Sequence, residues 1–149
     1  MKSRIFKIDI ILCLILFILG CNKEKIDIPI VSELPIMYQG CFLHEGNTIV
    51  IKDQIGLDTV FNSNLVTQIE ALQNINFSKY DLLVGADSYT RGITKLEHHL
   101  VKSSNSEFTY TVKVFYDLTL PAGTFYYGIL VDKLPRNVTV NFIVKKLNE

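Results

Sequence analysis

The chain is short of the residues and spacings that mark a reactive centre. It has three histidines, His44, His98 and His99. His98 and His99 are neighbours, and neighbouring residues on a strand point to opposite faces, so they cannot share a strand-borne site. Cys41 and His44 also fall on opposite faces of a strand, and a metal needs three or four converging ligands. No metal or cofactor is expected. There is no Gly-x-Ser-x-Gly elbow of the kind that exposes a hydrolase nucleophile. A Gly-rich phosphate loop is lacking too. Carboxylates stand singly, without the pairing that acid/base chemistry uses. An enzyme is therefore not expected. Internal repeats and low-complexity segments are missing as well.

Long apolar runs are scarce, and the one from Ile10 to Leu19 is shorter than the ~20 residues that span a bilayer. Lys2, Arg4 and Lys7 precede it, with Asp9 an unusual acid at its start. A basic start, a short apolar run and a small residue at its end are the parts of an export signal. The exit is Ile18-Leu19-Gly20-Cys21, which resembles the lipobox of bacterial lipoproteins. The resemblance implies cleavage between Gly20 and Cys21. It also implies a diacylglycerol on the Cys21 thiol, with acyl chains such as palmitate holding the protein to the membrane. The expected layout is a signal peptide over residues 1–20, a tether over 21–35 and one domain over 36–149.

Removing the signal leaves 12 basic and 14 acidic residues. Nucleic acid calls for a strongly basic face, so it is excluded as a partner. Anchoring then falls to the acyl chains, two or more of which hold a protein stably. Cysteines sort themselves: Cys13 leaves with the signal, Cys21 is acylated, and Cys41 has no second thiol to pair with in the chain. In its apolar strand context Cys41 reads as a small buried hydrophobe, with a reactive thiol as the alternative.

Residues 22–34 read as a charged tether broken by Pro29 and, just beyond, Pro35. Its expected reach is about 20 Å. Residues 36–43 and 48–52 read as strands joined by the turn Glu45-Gly46-Asn47. Residues 53–73 form the helical stretch, with Asp53 as N-cap and a break at Asn62-Ser63-Asn64. From Tyr80 the apolar period is two. The clearest row is Phe108, Tyr110, Val112, Val114, Tyr116 and Leu118, followed by Phe125, Tyr127, Ile129 and Val131, then Val138, Val140, Phe142 and Val144. About seven strands with turn signals between them predict a mainly β chain, an antiparallel β-sandwich or open barrel with one short helical segment.

Tyr89, Phe115 and Tyr126 fall off the core rows and are candidates for binding a partner protein or glycan. Asp58-Thr59-Val60 resembles a bacterial O-glycosylation sequence, with Thr59 the acceptor. Asn76-Phe77-Ser78 and Asn137-Val138-Thr139 fit the N-glycosylation pattern, which a bacterial lipoprotein would rarely use.

Three segments carry a wider resemblance. They are Thr48-Ile49-Val50-Ile51-Lys52, Asn76-Phe77-Ser78-Lys79-Tyr80-Asp81-Leu82-Leu83-Val84-Gly85, and Ile129-Leu130-Val131-Asp132-Lys133-Leu134-Pro135. In this order the chain resembles bacterial lipoproteins of the PrcB C-terminal type over residues 48–146. That implies an exported β-sandwich domain, associated in one case with stabilising a surface protease complex, and no catalytic residues. The glycine-rich stretch of that family is here reduced to Tyr89-Thr90-Arg91-Gly92. The expected function is a lipid-anchored accessory or binding module of the outer membrane or cell envelope. The alternative is a small ligand-binding or hydrolytic lipoprotein with a pocket between sheet and helix.

Overall fold

A computed structural model describes residues 25–148. The expected signal peptide, with Gly20 and Cys21, lies outside the described residues. Within them the chain is mainly β, with eight strands in two four-stranded sheets. In chain order the strands are β1 (Ile26–Asp27), β2 (Ile30–Glu33), β3 (Thr48–Ile51), β4 (Tyr80–Tyr89), β5 (Ile93–Ser104), β6 (Glu107–Tyr116), β7 (Gly123–Asp132) and β8 (Thr139–Asn148). One sheet has the order β1-β5-β6-β8 and the other β2-β7-β4-β3. The two sheets stay separate, so the architecture is a sandwich and not an open barrel.

Two helices, α1 (Gln54–Val60) and α2 (Ser63–Gln68), and a 3-10 turn (Glu70–Leu72) follow β3. Asp53 caps α1 by accepting from the Gly56 N–H at 2.8 Å. Asn62 then caps α2 by accepting from Leu65 at 2.8 Å. A polar cap in mid-segment ends one helix and starts the next, which is why the predicted break falls there.

The helical segment packs on the outer face of the second sheet. Two cores result. Between the sheets lie Leu83, Leu100, Phe108, Tyr110, Val112, Val114, Phe125, Tyr127, Ile129 and Val131. Under the helices lie Ile51, Leu57, Phe61, Leu72, Leu82, Val84 and Leu130. The second sheet is thus covered on both faces. This explains the continuous run Leu82-Leu83-Val84, where each residue is buried although successive side chains alternate. On β6 alternation is strict, because that sheet is covered on one face alone.

Several expectations need correction. Of the segment read as a tether, residues 26–33 are built into the sandwich. β1 pairs with β5 (Ile26 opposite Lys102) and β2 with β7 (Ile30 opposite Val131). Pro29 does not forbid this, because it sits between the strands, where the chain passes from one sheet to the other. Residues 36–43 are not a strand and form no hairpin with β3. They touch their neighbours through two isolated bridges, Met37 with Tyr126 and Cys41 with Phe61. Gly40, at φ +82°, turns the backbone out of the extended region between them. β3 pairs instead with β4, Thr48 opposite Gly85.

Leu118, expected to continue the β6 row, is 92 % exposed, because the strand ends at Tyr116. β8 runs parallel to β6, Thr139 opposite Glu107, an exception to antiparallel pairing. The connection from β7 crosses between sheets, so β8 enters the first sheet at the end where β6 begins.

Candidate functional site

The strands define two ends of the sandwich. The near end carries the β5–β6 turn at Asn105 and Ser106 and the connection over residues 133–138. The far end carries the β4–β5 turn, residues 90–92, and the β6–β7 loop, residues 117–122. These two far-end connections are stitched together. The Asp117 N–H donates to the Gly92 carbonyl at 2.8 Å, and the Gly92 N–H to the Thr119 carbonyl at 3.3 Å. Asp117 Oδ1 accepts from the Thr119 N–H at 2.8 Å and from the Thr119 hydroxyl. These bonds hold the Asp117 carboxyl below its usual range, the hydroxyl contributing most. A Cβ at position 92 would collide with Thr119 Oγ1 and the Asp117 carboxylate, so the close approach requires glycine.

This frame displays apolar side chains to solvent. Leu118 and Leu120 are 92 % and 82 % exposed, and Pro121 and Ala122 continue the exposed loop. Tyr38 is about half-exposed and stands edge-on to Tyr89, with ring centroids 5.4 Å apart. Tyr89 in turn meets the buried Phe125 at 6.4 Å. Burial, the neighbouring Tyr89 and the negative charge of Asp117 raise the Tyr38 pKa, so this ring belongs to the same end. A groove of about 310 Å³ is lined by Arg91, Tyr116, Asp117 and Leu118. The Tyr116 hydroxyl is buried without a hydrogen-bond partner. Its pKa is raised by burial and then by the charge of Asp87.

No family model, curated protein or solved structure matches this chain. Its chemistry has to be read from the residues themselves.

The three aromatic candidates do not form one patch. Tyr89 is half-buried beneath Tyr38 at the far end. Tyr126 faces the helix-side core, half-buried near Met37 and Cys41. Phe115 lies on the outer face of the first sheet, with Lys95 Nζ 5.5 Å from its ring centre. Sequence reasoning missed Tyr38, Leu118 and Leu120. Asp117-Leu118-Thr119 has the chemistry of an Asx turn, but Leu118 also continues the β6 period, and the bonds to Gly92 are what turn it out.

His98 and His99 separate as strand geometry requires. His98 is buried, with Nδ1 2.8 Å from the Tyr110 hydroxyl, and His99 is exposed. Burial, with a smaller contribution from His99, pushes the His98 pKa down to about 4. It is a neutral ring in the core margin near neutral pH. Cys41 is buried and burial raises its thiol pKa, which suppresses thiolate chemistry. Among the described residues no three His, Cys, Asp or Glu side chains come together to hold a metal. Nor is any helix long and apolar enough to cross a membrane among those residues.

Thr59 is exposed on α1, although its hydroxyl donates to the Ile55 carbonyl at 2.7 Å. Asn76 and Asn137 are exposed as well. An open groove of about 610 Å³ lies between β2 and the 3-10 turn, lined by Ser32, Glu33, Pro35, Gln68, Ile69, Glu70 and Ala71. Both of its carboxylates are on exposed residues.

Proposed function

We propose that this protein is a lipid-anchored, non-catalytic binding module of the bacterial cell envelope, and that its far end engages another envelope protein. The observation that carries the reading is the loop holding Leu118 and Leu120 in water on a hydrogen-bonded frame. Two leucines this exposed, with Arg91 in the groove beside Leu118 and Tyr38 at the same end, make an apolar centre with a polar rim. Burying one leucine side chain against a partner is worth about 1.5–3 kcal/mol. A frame already ordered in the free protein adds little entropy cost on binding. Attachment comes from acyl chains on Cys21, in the outer membrane or elsewhere in the envelope. The resemblance to PrcB C-terminal-type lipoproteins supports an accessory role of the same kind.

The test is capture of envelope proteins from membranes by the wild-type chain and by Leu118→Ser and Leu120→Ser. Loss of one protein partner from both variants, with unfolding midpoints unchanged, supports the reading. Retention of every partner by the double variant would overturn it.

A second reading has its own observation. The groove between β2 and the 3-10 turn brings Glu33 and Glu70 to one surface, which suits a small cationic ligand bound between sheet and helix. Glu33→Gln together with Glu70→Gln separates the two readings. It should abolish binding of such a ligand and leave protein capture intact.

A further inference from the structure

We infer that the near end of the sandwich faces the bilayer directly and that the far end points away from it. The inference rests on the lipid-anchor reading of Cys21 and takes it further, from attachment to orientation. The bilayer in which the anchor sits is the occupant of the near end.

The geometry comes from where the described chain begins. β1 is antiparallel to β5, with Ile26 opposite Lys102 and Asp27 opposite Val101. At Ile26 and Lys25 the described chain therefore begins on the side of the β5 end and the turn at Asn105 and Ser106. Ile28 continues the pairing, its N–H donating to the Leu100 carbonyl at 2.8 Å. β2 then joins the second sheet through β7. Residues 26–33 are thus held by both sheets and are not free to act as a spacer. Residues 22–25 are all that separates Cys21 from β1. Even fully extended, the five steps from Cys21 to Ile26 cover at most about 18 Å.

Ten-residue strands such as β6 carry the fold about 30 Å from one end to the other. Leu118, Leu120 and Tyr38 are therefore presented about 30 Å further from the bilayer than the Asn105 turn. A lateral partner lying flat on the membrane cannot reach them. The partner that fits is one that itself stands out from the membrane or approaches from the opposite side. Basic residues at the near end include Lys25, Lys52, Lys79, Lys102, Arg136 and Lys133, which is paired with Asp81, but Asp27, Asp53, Glu107 and Asp132 accompany them. The apposition is imposed by a short covalent link and not by charge, so salt should not relax it, unlike an attachment made by surface charges.

The full lipidated chain in vesicles tests this. Asn105→Cys and Ala122→Cys each place a dye at one end, and a headgroup-attached dark acceptor in the vesicle reads its distance. The Asn105 dye should be quenched at least about twofold more than the Ala122 dye, given a strand length of ~30 Å. The difference should persist at high salt. A flexible ten-residue insertion after Asn22 should shrink it, because the link no longer constrains the domain. Equal quenching at both positions in the uninserted chain, or stronger quenching at Ala122, would overturn the orientation. Intact mass on the same sample reads the acyl chains separately. An unmodified Cys21 would bring down the anchor reading and the orientation with it, whereas an acylated chain with equal quenching defeats the orientation alone.

Discussion

Lys133 extends its ammonium to the fully buried carboxylate of Asp81, 2.6 Å from Oδ1. The same ammonium donates to the Phe77 carbonyl at 2.9 Å and the Lys52 carbonyl at 3.3 Å. The Leu134 N–H donates to Asp81 Oδ2 at 3.1 Å. Oδ1 has no well-aligned hydrogen bond, so its ion pair with Lys133 is what offsets its burial. One side chain thereby clamps the ends of β3, β4 and β7 at the near end.

Lys133→Met should leave Asp81 buried and uncompensated. Removing one partner of a fully buried pair costs roughly 3–5 kcal/mol. Lys133 is partly exposed, which puts the expected loss near about 3 kcal/mol. Adding Asp81→Asn should recover a good part of it, because the remaining group is neutral. Urea unfolding of the four proteins of this cycle checks both statements. Equal stability of Lys133→Met and wild type would remove the clamp from the account.

The faces of β6 make a paired comparison. Val112 is fully buried between the sheets, whereas Lys113 lies on the outer face, 3.4 Å from Glu97. Val112→Asp should prevent folding, since an unpaired buried charge costs several kcal/mol against a domain stability of about 5–15 kcal/mol. Lys113→Asp exchanges a surface ion pair for a repulsion and should cost no more than about 1 kcal/mol. Circular dichroism and thermal melts report both. Similar damage at the two positions would mean the faces are assigned the wrong way round.

His98 should make stability fall with acid. Its pKa is about 4 in the folded chain against 6.5 for an unperturbed histidine, chiefly through burial. Between those values the unfolded chain takes up a proton that the folded chain does not. Stability from this group is therefore complete above about pH 6.5 and lost as pH falls toward 4, by about 3 kcal/mol in all. Below that both states are protonated and the slope vanishes. His98→Asn should flatten the dependence across this window while lowering stability at neutral pH through the altered bond to Tyr110. A wild-type stability that is level from pH 7 to 4 would contradict the shift.

Cys21→Ala should give a chain that is neither cleaved before residue 21 nor retained with membranes by lipid. Flotation and intact mass read these outcomes. A native protein with a free thiol at Cys21 would exclude the anchor.

The β6 row was legible in the sequence because its sheet is covered on one face, and one-sided burial writes a period of two. The Asp53 cap and the break at Asn62 were legible for a local reason, since a capping side chain acts three residues away. β4 was legible as a strand from Tyr80, but not the burial of both its faces, because Leu83 reads as the outward partner of Leu82 and Val84 until the helices are seen to cover the other side. The N-terminal segment shows the opposite failure. Ile26, Ile28 and Ile30 do alternate, but Pro29 reads as a breaker until one knows that the chain changes sheets there.

The candidate site was less visible than the fold. Leu118 follows the period of β6, and only the hydrogen bonds among Gly92, Asp117 and Thr119 turn it into water. The two bonds to Gly92 join segments 25 residues or more apart along the chain, between positions 92 and 117–119. By itself the sequence determined the mainly β class, the helical segment with its caps, and the alternating core rows, because each depends on neighbours within a turn or a strand. Tertiary structure alone decided the parallel partner of β8, the capture of residues 26–33 by both sheets, the exposure of Leu118 and the burial of Asp81 against Lys133. Each of these is a contact between distant parts of the chain, and its energy appears only when packing brings them together.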